Sequence, residues 1–207
     1  VIFGTDSVTL WGRDYLLEKL GHLLYAVSAG SFFQVNTPQA EILLRQVEKY
    51  AGLTGSETIF DLYCGAGTIA LYLSRRAGKV VGIESYPPAV DDARKNAELN
   101  GISNAEFFSG LSETLFPDLI QKGYSPDVVI VDPPRKGCNQ KLLSAIADVK
   151  PHRLIYVSCN PSTLARDLRY LHEQGYNALK VQPIDMFPHT AHVECIVLIT
   201  RAENRMG

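Results

Sequence analysis

Along this chain, short apolar runs alternate with stretches in which apolar residues recur every three or four positions. The two periods predict strands and helices in turn. Thr58–Leu62, Lys79–Glu84, Ala105–Phe108, Asp127–Val131 and Arg153–Val157 read as buried strands. Helices are predicted after them over 68–76, 87–100, 111–122, 139–148 and 161–174, and two further strands near 177–184 and 193–199. Thr37 is placed to cap an earlier helix, with Pro38 in its first turn and Ile42, Leu43, Leu44, Val47 and Tyr50 on its apolar face. Before that helix the chain reads as β-rich, with runs at Ser7–Trp11 and His22–Val27 and a break at Gly30-Ser31 ahead of Phe32–Asn36. This order implies an α/β chain whose mostly parallel sheet is covered on both faces. It divides the chain into a β-rich connecting segment, 1–36, and a main domain, 37–207, whose closing residues from Ala202 are expected to fray.

Composition narrows the class. The 207 residues suit one domain with a sizeable core. Apolar residues make up 46% and charged residues 20%, and no apolar run approaches the roughly 20 residues of a membrane span. A soluble, cytoplasmic, monomeric protein without a membrane partner is expected. The start, Val1–Asp6, has neither an initiator Met nor a basic-then-apolar leader, so no signal peptide is expected and a preceding domain is expected to be missing. The net charge of -2 is not that of a strongly basic nucleic-acid binder, so any grip on phosphates must be a local patch or come from elsewhere. Cys64, Cys138, Cys159 and Cys195 form no C-x-x-C pair, which removes zinc-ribbon and iron–sulfur spacing; no metal is expected.

In open α/β sheets ligands bind beyond the carboxyl ends of the strands. The residues just after four predicted strands therefore share one edge: Asp61-Leu62-Tyr63-Cys64-Gly65-Ala66-Gly67, Glu84, Asp132-Pro133-Pro134-Arg135, and Ser158-Cys159-Asn160-Pro161. The glycine loop alone fits either a dinucleotide or S-adenosylmethionine. Glu84, 19 residues after Gly65, can accept from ribose hydroxyls in both cases. Asp61 favours S-adenosylmethionine, because a carboxylate there suits a methionine ammonium and repels a pyrophosphate. In Asp132-Pro133-Pro134 the prolines stiffen the loop and fix the pose of the Asp.

Cys159 ends a strand just before a helix that Asn160 can cap, and the helix dipole there is expected to favour its thiolate. Cys64 and Cys195 read as buried structural residues, and Cys138 is ambiguous. A nucleophilic thiol suits a carbon acceptor that is too weak to take a methyl group unaided. C5 of uracil is such an acceptor: thiolate addition at C6 makes it nucleophilic, and a base must then remove its proton. His189, His192 and Glu194 are candidates for that base. A base held in folded RNA must be flipped out and stacked, for which Phe32 and Phe33 are candidates, with Gln34 able to bond the base edge or the cofactor.

Together these segments resemble the RNA uracil-C5 methyltransferase family of 23S rRNA and tRNA 5-methyluridine enzymes. The resemblance runs from about Ser31 to Arg201 and rests on Phe32–Asn36, Asp61–Thr68, Asp132–Gly137, Ser158–Pro161 and His192-Val193-Glu194. It implies a Rossmann-like, seven-stranded S-adenosylmethionine-dependent methyltransferase fold with an antiparallel last strand. It implies Cys159 as nucleophile and Glu194 as proton-abstracting base. Cofactor contacts are expected from Gln34, Tyr63, Gly65, Gly67, Glu84 and Asp132, and substrate contacts from Phe32, stacking on the base, and Arg135. The overall look of the motifs points to 23S rRNA more than to tRNA. The N-terminal RNA-binding domain and the four-Cys iron–sulfur motif that some members carry are not visible here.

Four other readings compete. An RNA cytosine-C5 methyltransferase would want a Cys directly after the prolines, where Arg135-Lys136-Gly137 stands. An amino-methylating enzyme would want an aromatic in place of Arg135 and has no use for Cys159. A catalytically dead scaffold would be indifferent to loss of Cys159, and a nicotinamide dehydrogenase would bind a different cofactor.

Overall fold

The computed structural model describes residues 8–202. Val1–Ser7 and the last five residues lie outside the described part, and with them most of the predicted fraying end. The chain opens with a hairpin of β1 (Tyr15–Leu20) and β2 (Leu23–Ser28). Then come α1 (Thr37–Ala51), β3 (Thr58–Leu62), α2 (Thr68–Ser74), β4 (Lys79–Glu84), α3 (Pro87–Leu99), β5 (Ala105–Ser109), α4 (Ser112–Gln121) and β6 (Val128–Val131). The chain continues through α5 (Gln140–Val149), β7 (Arg153–Ser158), α6 (Pro161–Glu173), β8 (Tyr176–Ile184) and β9 (Glu194–Arg201).

Strands β3 to β9 form one seven-stranded sheet in the order β5-β4-β3-β6-β7-β9-β8. The first five run parallel, and β9 lies antiparallel between β7 and β8. The order reverses direction between β3 and β6, which opens a crevice at their carboxyl ends. Both faces are buried. Ile59, Val80, Val128, Ile155 and Ile196 pack under α1, α2, α3 and the hairpin. Their neighbours Phe60, Val81, Val129, Leu154 and Val197 pack under α4, α5 and α6. This two-sided burial is why the central strands are continuous apolar runs.

The hairpin docks by hydrogen bonds to a helix. Asp92 Oδ2, Asn96 Oδ1 and Asn100 Oδ1, one turn apart along and just past α3, accept from the backbone N–H groups of Ser28, Ala26 and Leu24 at 3.0, 2.7 and 3.0 Å. Four helical residues rise about 6 Å and two strand residues about 6.8 Å, so the two spacings nearly match. Asp92 Oδ2 also accepts from Ser28 Oγ (2.6 Å) and Ser31 Oγ (2.7 Å), which fixes the turn into residues 32–36. Asn36 ends that segment, donating through Nδ2 to Met186 O (3.0 Å).

Two expectations need correction. Of the run Ser7–Trp11, Ser7 lies outside the described residues and the rest is not a strand, with Val8, Leu10 and Trp11 exposed. The partner of β2 is instead Tyr15–Leu20, whose outer residues face solvent. The cap of α1 is Asn36 rather than Thr37; its side chain accepts from Gln39 N at 3.3 Å.

Candidate active site

Period-two alternation places the acidic and sulfur groups on one side of the sheet edge. Leu62, Val131 and Ser158 at the ends of β3, β6 and β7, and Cys195 near the start of the antiparallel β9, face or lie level with the α4–α6 side, so Asp61, Asp132, Cys159 and Glu194 turn to the α1–α2 side. Ser158 pairs with Cys195 across β7 and β9. One step further in that register brings Cys159 level with Glu194; both line the same crevice, and Glu194 lies near enough to add to burial in raising the Cys159 thiol. The crevice around them has a volume of ≈ 1130 Å³, and Phe32, Gln34, Tyr63, Gly65, Glu84, Asp132, Arg135, Cys159 and Glu194 all line it. Of the contacts the family resemblance implies, Gly67 does not line it; nor do the further candidates Asp61, Phe33, His189 and His192.

The glycine loop is set by backbone geometry. Gly67 has φ 83°, and a Cβ there would meet Ala93 Cβ at 3.1 Å and Leu71 at 3.2 Å, so it permits the close packing of α2 on α3. Gly65 has φ 54° and open space where a side chain would project, on the crevice side. Its N–H is held by Glu84 Oε2 at 3.2 Å, while Glu84 Oε1 accepts from Tyr86 N (2.8 Å) and Ser85 Oγ (3.1 Å). Tyr63 also sits at positive φ (74°), with its N–H and that of Cys64 donating to Ile83 O.

The carboxyl groups crowd one corner. Asp61 is buried and accepts from Ala70 N through Oδ2 (3.0 Å), but its Oδ1 has no partner; neither does the buried Oε1 of Gln34. Both side chains line a small cavity of ≈ 60 Å³ that also touches Tyr63, Gly65 and Asp132. Burial, then the neighbouring Asp132, pushes Asp61 up to about 8. Burial, then Glu194, pushes Asp132 up to about 7. Burial raises Glu194, and Arg135 partly offsets it.

Two orphaned acceptors facing one small cavity are what a methionine ammonium requires. S-adenosylmethionine fits this corner on that ground. A dinucleotide pyrophosphate does not, since it would meet Asp61, Glu84 and Asp132 together.

The expectation for the Cys159 thiol is corrected. Its position before α6 predicts a favoured thiolate, yet burial pushes the thiol up, and Glu194 and Asp132 add to that, with Arg135 opposing. A helix terminus contributes typically 0.3–1 kcal/mol and is outweighed here by desolvation and two carboxyl groups. Cys64, Cys138 and Cys195 are buried and Cys159 is partly exposed, so Cys159 is the most accessible thiol of the four.

Phe33, a candidate platform, packs into the core against Tyr25 at 5.6 Å, while Phe32 is 69% exposed beside the crevice. His189 and His192 are both exposed; Arg135 Nη2 lies 3.2 Å from a ring nitrogen of His192.

The sequence reading missed two features. Phe187 lines the crevice and stands edge-on to His192, 6.5 Å between rings. Asp167, buried on α6, accepts from Cys138 N (2.8 Å), Tyr156 Oη (2.7 Å) and the Arg166 guanidinium (2.7 Å). With Asn160 Nδ2 and Thr163 Oγ1 both donating to Arg135 O, this ties the Asp132–Cys138 loop to α6. A polar cluster separated by about 30 residues carries no local signal. Among the described residues no group of three or more His, Cys, Asp or Glu is placed to hold a metal, and no helix is long and apolar enough to cross a membrane.

An uncharacterized RNA methyltransferase of Bacillus cereus is 50% identical over 98% of this chain and 44% of its own length. One from Clostridium acetobutylicum is 53% identical over 98% and 44%. The chain thus spans less than half the length of these relatives. The crystal structure of Pyrococcus abyssi tRNA (uracil-54, C5)-methyltransferase in complex with S-adenosyl-L-homocysteine superposes with a TM-score of 0.80 at 35% identity, over 96% of this chain and 49% of that one. Trm5b from Pyrococcus abyssi shares the fold alone, with a TM-score of 0.72 at 16% identity, over 91% of this chain and 56% of that one. The Rossmann-like methyltransferase fold with its antiparallel β9 is as expected from the sequence. Residues 8–202 match the model described as tRNA (Uracil-5-)-methyltransferase, and the chain is a member of that family.

Proposed function

We propose that this chain transfers a methyl group from S-adenosylmethionine to C5 of a uridine in RNA. The observation that carries the reading is that Cys159 and Glu194, at the ends of the β7–β9 register, line one crevice that adjoins a small cavity with two orphaned acceptors. S-adenosylmethionine supplies an electrophilic methyl group on a sulfonium. Gln34 and Asp61 would hold its ammonium, Glu84 its ribose, and the bare Gly65 would let it lie close to the loop. Tyr63 and Asp132 line the same wall.

The chain's own groups carry the acceptor chemistry. The Cys159 sulfur bonds to C6 of the uracil, and the C5=C6 electron pair moves onto C5 and the O4 carbonyl. C5 takes the methyl group. The Glu194 carboxylate then removes the C5 proton, the electrons of that C–H bond restore C5=C6, and the C6–S bond breaks to return the thiolate. Phe32 stacks on the flipped base and Arg135 lies beside Glu194 and Cys159, where its charge favours both anionic forms. Burial and the neighbouring Glu194 and Asp132 carboxyl groups hold the Cys159 thiol toward its neutral form; the positive charge of an entering cofactor offsets those carboxyl groups and would thereby prime the thiol.

The 1–36 and 37–207 division belongs to this proposal, with residues 32–36 serving the main domain's site. For the RNA, the motif pattern favours 23S rRNA. A tRNA substrate is the second reading, favoured by the matched family description and the Pyrococcus neighbour. Mapping 5-methyluridine by mass spectrometry in RNA from cells with and without the gene tests both. Loss of a single 5-methyluridine supports the activity and identifies the RNA; an unchanged map contradicts it.

A further inference from the structure

The crevice continues well past the cysteine and the carboxyl groups. Its ≈ 1130 Å³ exceeds the roughly 300–1,000 Å³ of a site for one drug-sized ligand. Beyond Arg135 one wall is a single stripe of α6, Arg166, Arg169, Tyr170 and Glu173, whose i, i+3, i+4, i+7 spacing turns them the same way. Lys136, whose carbonyl accepts from Arg166, and Leu143 of α5 line the same crevice. None of these side chains is used in the methyl transfer described above.

The charges differ in kind from those of the catalytic corner. That corner holds Asp61, Glu84, Asp132 and Glu194, which repel phosphate. Arg135 belongs to that corner, beside Cys159 and Glu194; the crevice is further lined by Lys136, Arg166 and Arg169, with Glu113, Asp167 and Glu173 among them. Arg166 is engaged by Asp167 and by Lys136 O (3.0 Å), which stiffens the wall. Arg169 meets Glu173 only at 3.9 Å between exposed groups, a contact that holds it weakly. With Arg166 taken up by Asp167, Lys136 and Arg169 are the cations of this stretch that a phosphate can meet, in a chain of net charge -2. Cations, an aromatic and an apolar floor together are what single-stranded nucleic acid binds.

We propose that the groove between α5 and α6 is a subsite for the single-stranded RNA on one side of the target nucleotide. Lys136 and Arg169 meet its phosphates and Tyr170 stacks on a base. This rests on the uridine reading above.

The test uses the full chain, S-adenosylmethionine, and oligonucleotides holding one 5-fluorouridine, unextended or lengthened only 5′ or only 3′. Adduct formation is timed across a salt series. In the wild type, lengthening in one direction alone speeds adduct formation at subsaturating oligonucleotide. Lys136→Ala with Arg169→Ala removes that gain, about tenfold, and reduces the salt slope by roughly 1.4, at about 0.7 per single-strand phosphate. Tyr170→Leu reduces the gain with the salt slope intact. All variants match the wild type on the unextended oligonucleotide. The proposal is overturned if the double variant keeps the full gain, or if it is equally slow on the unextended oligonucleotide. A wild type that forms no adduct with any oligonucleotide overturns the uridine reading itself, and the groove with it.

Discussion

Replacing Asp61 with Asn separates cofactor recognition from folding. In the chain Asp61 Oδ2 accepts from Ala70 N, and Oδ1 is buried without a partner. Burial and Asp132 raise its carboxyl from 3.8 to about 8. Between those values the folded chain holds a proton that the unfolded chain has lost. The sign follows: this group's penalty is absent below the unfolded value and grows as pH rises through the window, so stability falls toward pH 8. Asn is an uncharged isostere that keeps the Ala70 bond. The variant should therefore melt at or above the wild-type temperature at pH 8, and close to it at pH 4. Binding should move the opposite way, because an ammonium needs the ionised carboxylate and Asn turns an NH2 toward it. Hydrogen bonds to charged groups contribute about 1.5–3 kcal/mol, so Kd for S-adenosylmethionine should rise by roughly 10- to 150-fold at about 1.4 kcal/mol per decade. Titration calorimetry at pH 7 and 8 with paired thermal melts measures both. Wild-type affinity should also strengthen toward pH 8, up to about tenfold per pH unit per proton released, and the variant should lose this part of the dependence. A Kd within threefold of wild type, in a variant that melts normally, refutes the placement of the ammonium at Asp61.

Other expectations follow from the same geometry. Glu194→Gln should still form the sulfur bond and accept the methyl group but fail to release product, so a methylated RNA–protein complex should accumulate on denaturing gels. Asp167→Ala leaves the buried Tyr156 Oη without its acceptor and Cys138 N–H with only the longer bond to Tyr156 Oη; a loss of about 1–3 kcal/mol is expected, read as a lowered denaturant midpoint. Asn96→Ala strips the acceptor from Ala26 N and the donor from Ala66 O. It should lower stability by about 1–3 kcal/mol and raise hydrogen exchange in β2 before the sheet core.

The central strands were readable because burial on both faces makes them unbroken runs of Val and Ile; β4, β6 and β7 fall within one residue of their expected limits. The hairpin was harder. Tyr15–Leu20 contributes one buried residue, Leu20, and carries Glu18 and Lys19, so its pattern has no apolar alternation. Conversely, Val8, Leu10 and Trp11 look like a strand and are exposed. The strand-end rule brought Asp61, Asp132, Cys159 and Glu194 together from residues far apart in the chain. It could not show that their mutual crowding opposes the thiolate, since that depends on burial. Nor could it separate Phe32 from Phe33, which differ in whether Tyr25 lies against them. The Asp167 tie and the Asp92–Asn96–Asn100 ladder look like ordinary helix polar residues until the partner backbone is placed beside them.

Everything in the proposed chemistry passes through the sulfur of residue 159. The most direct measurement is peptide mapping of the chain after incubation with S-adenosylmethionine and an RNA carrying 5-fluorouridine, whose fluorine cannot leave as a proton does. The account predicts a denaturation-stable product with one methylated nucleotide on the peptide containing Cys159, and none with Cys159→Ala. Attachment at Cys64, Cys138 or Cys195, or methyl transfer to ordinary RNA that survives Cys159→Ala, would contradict it.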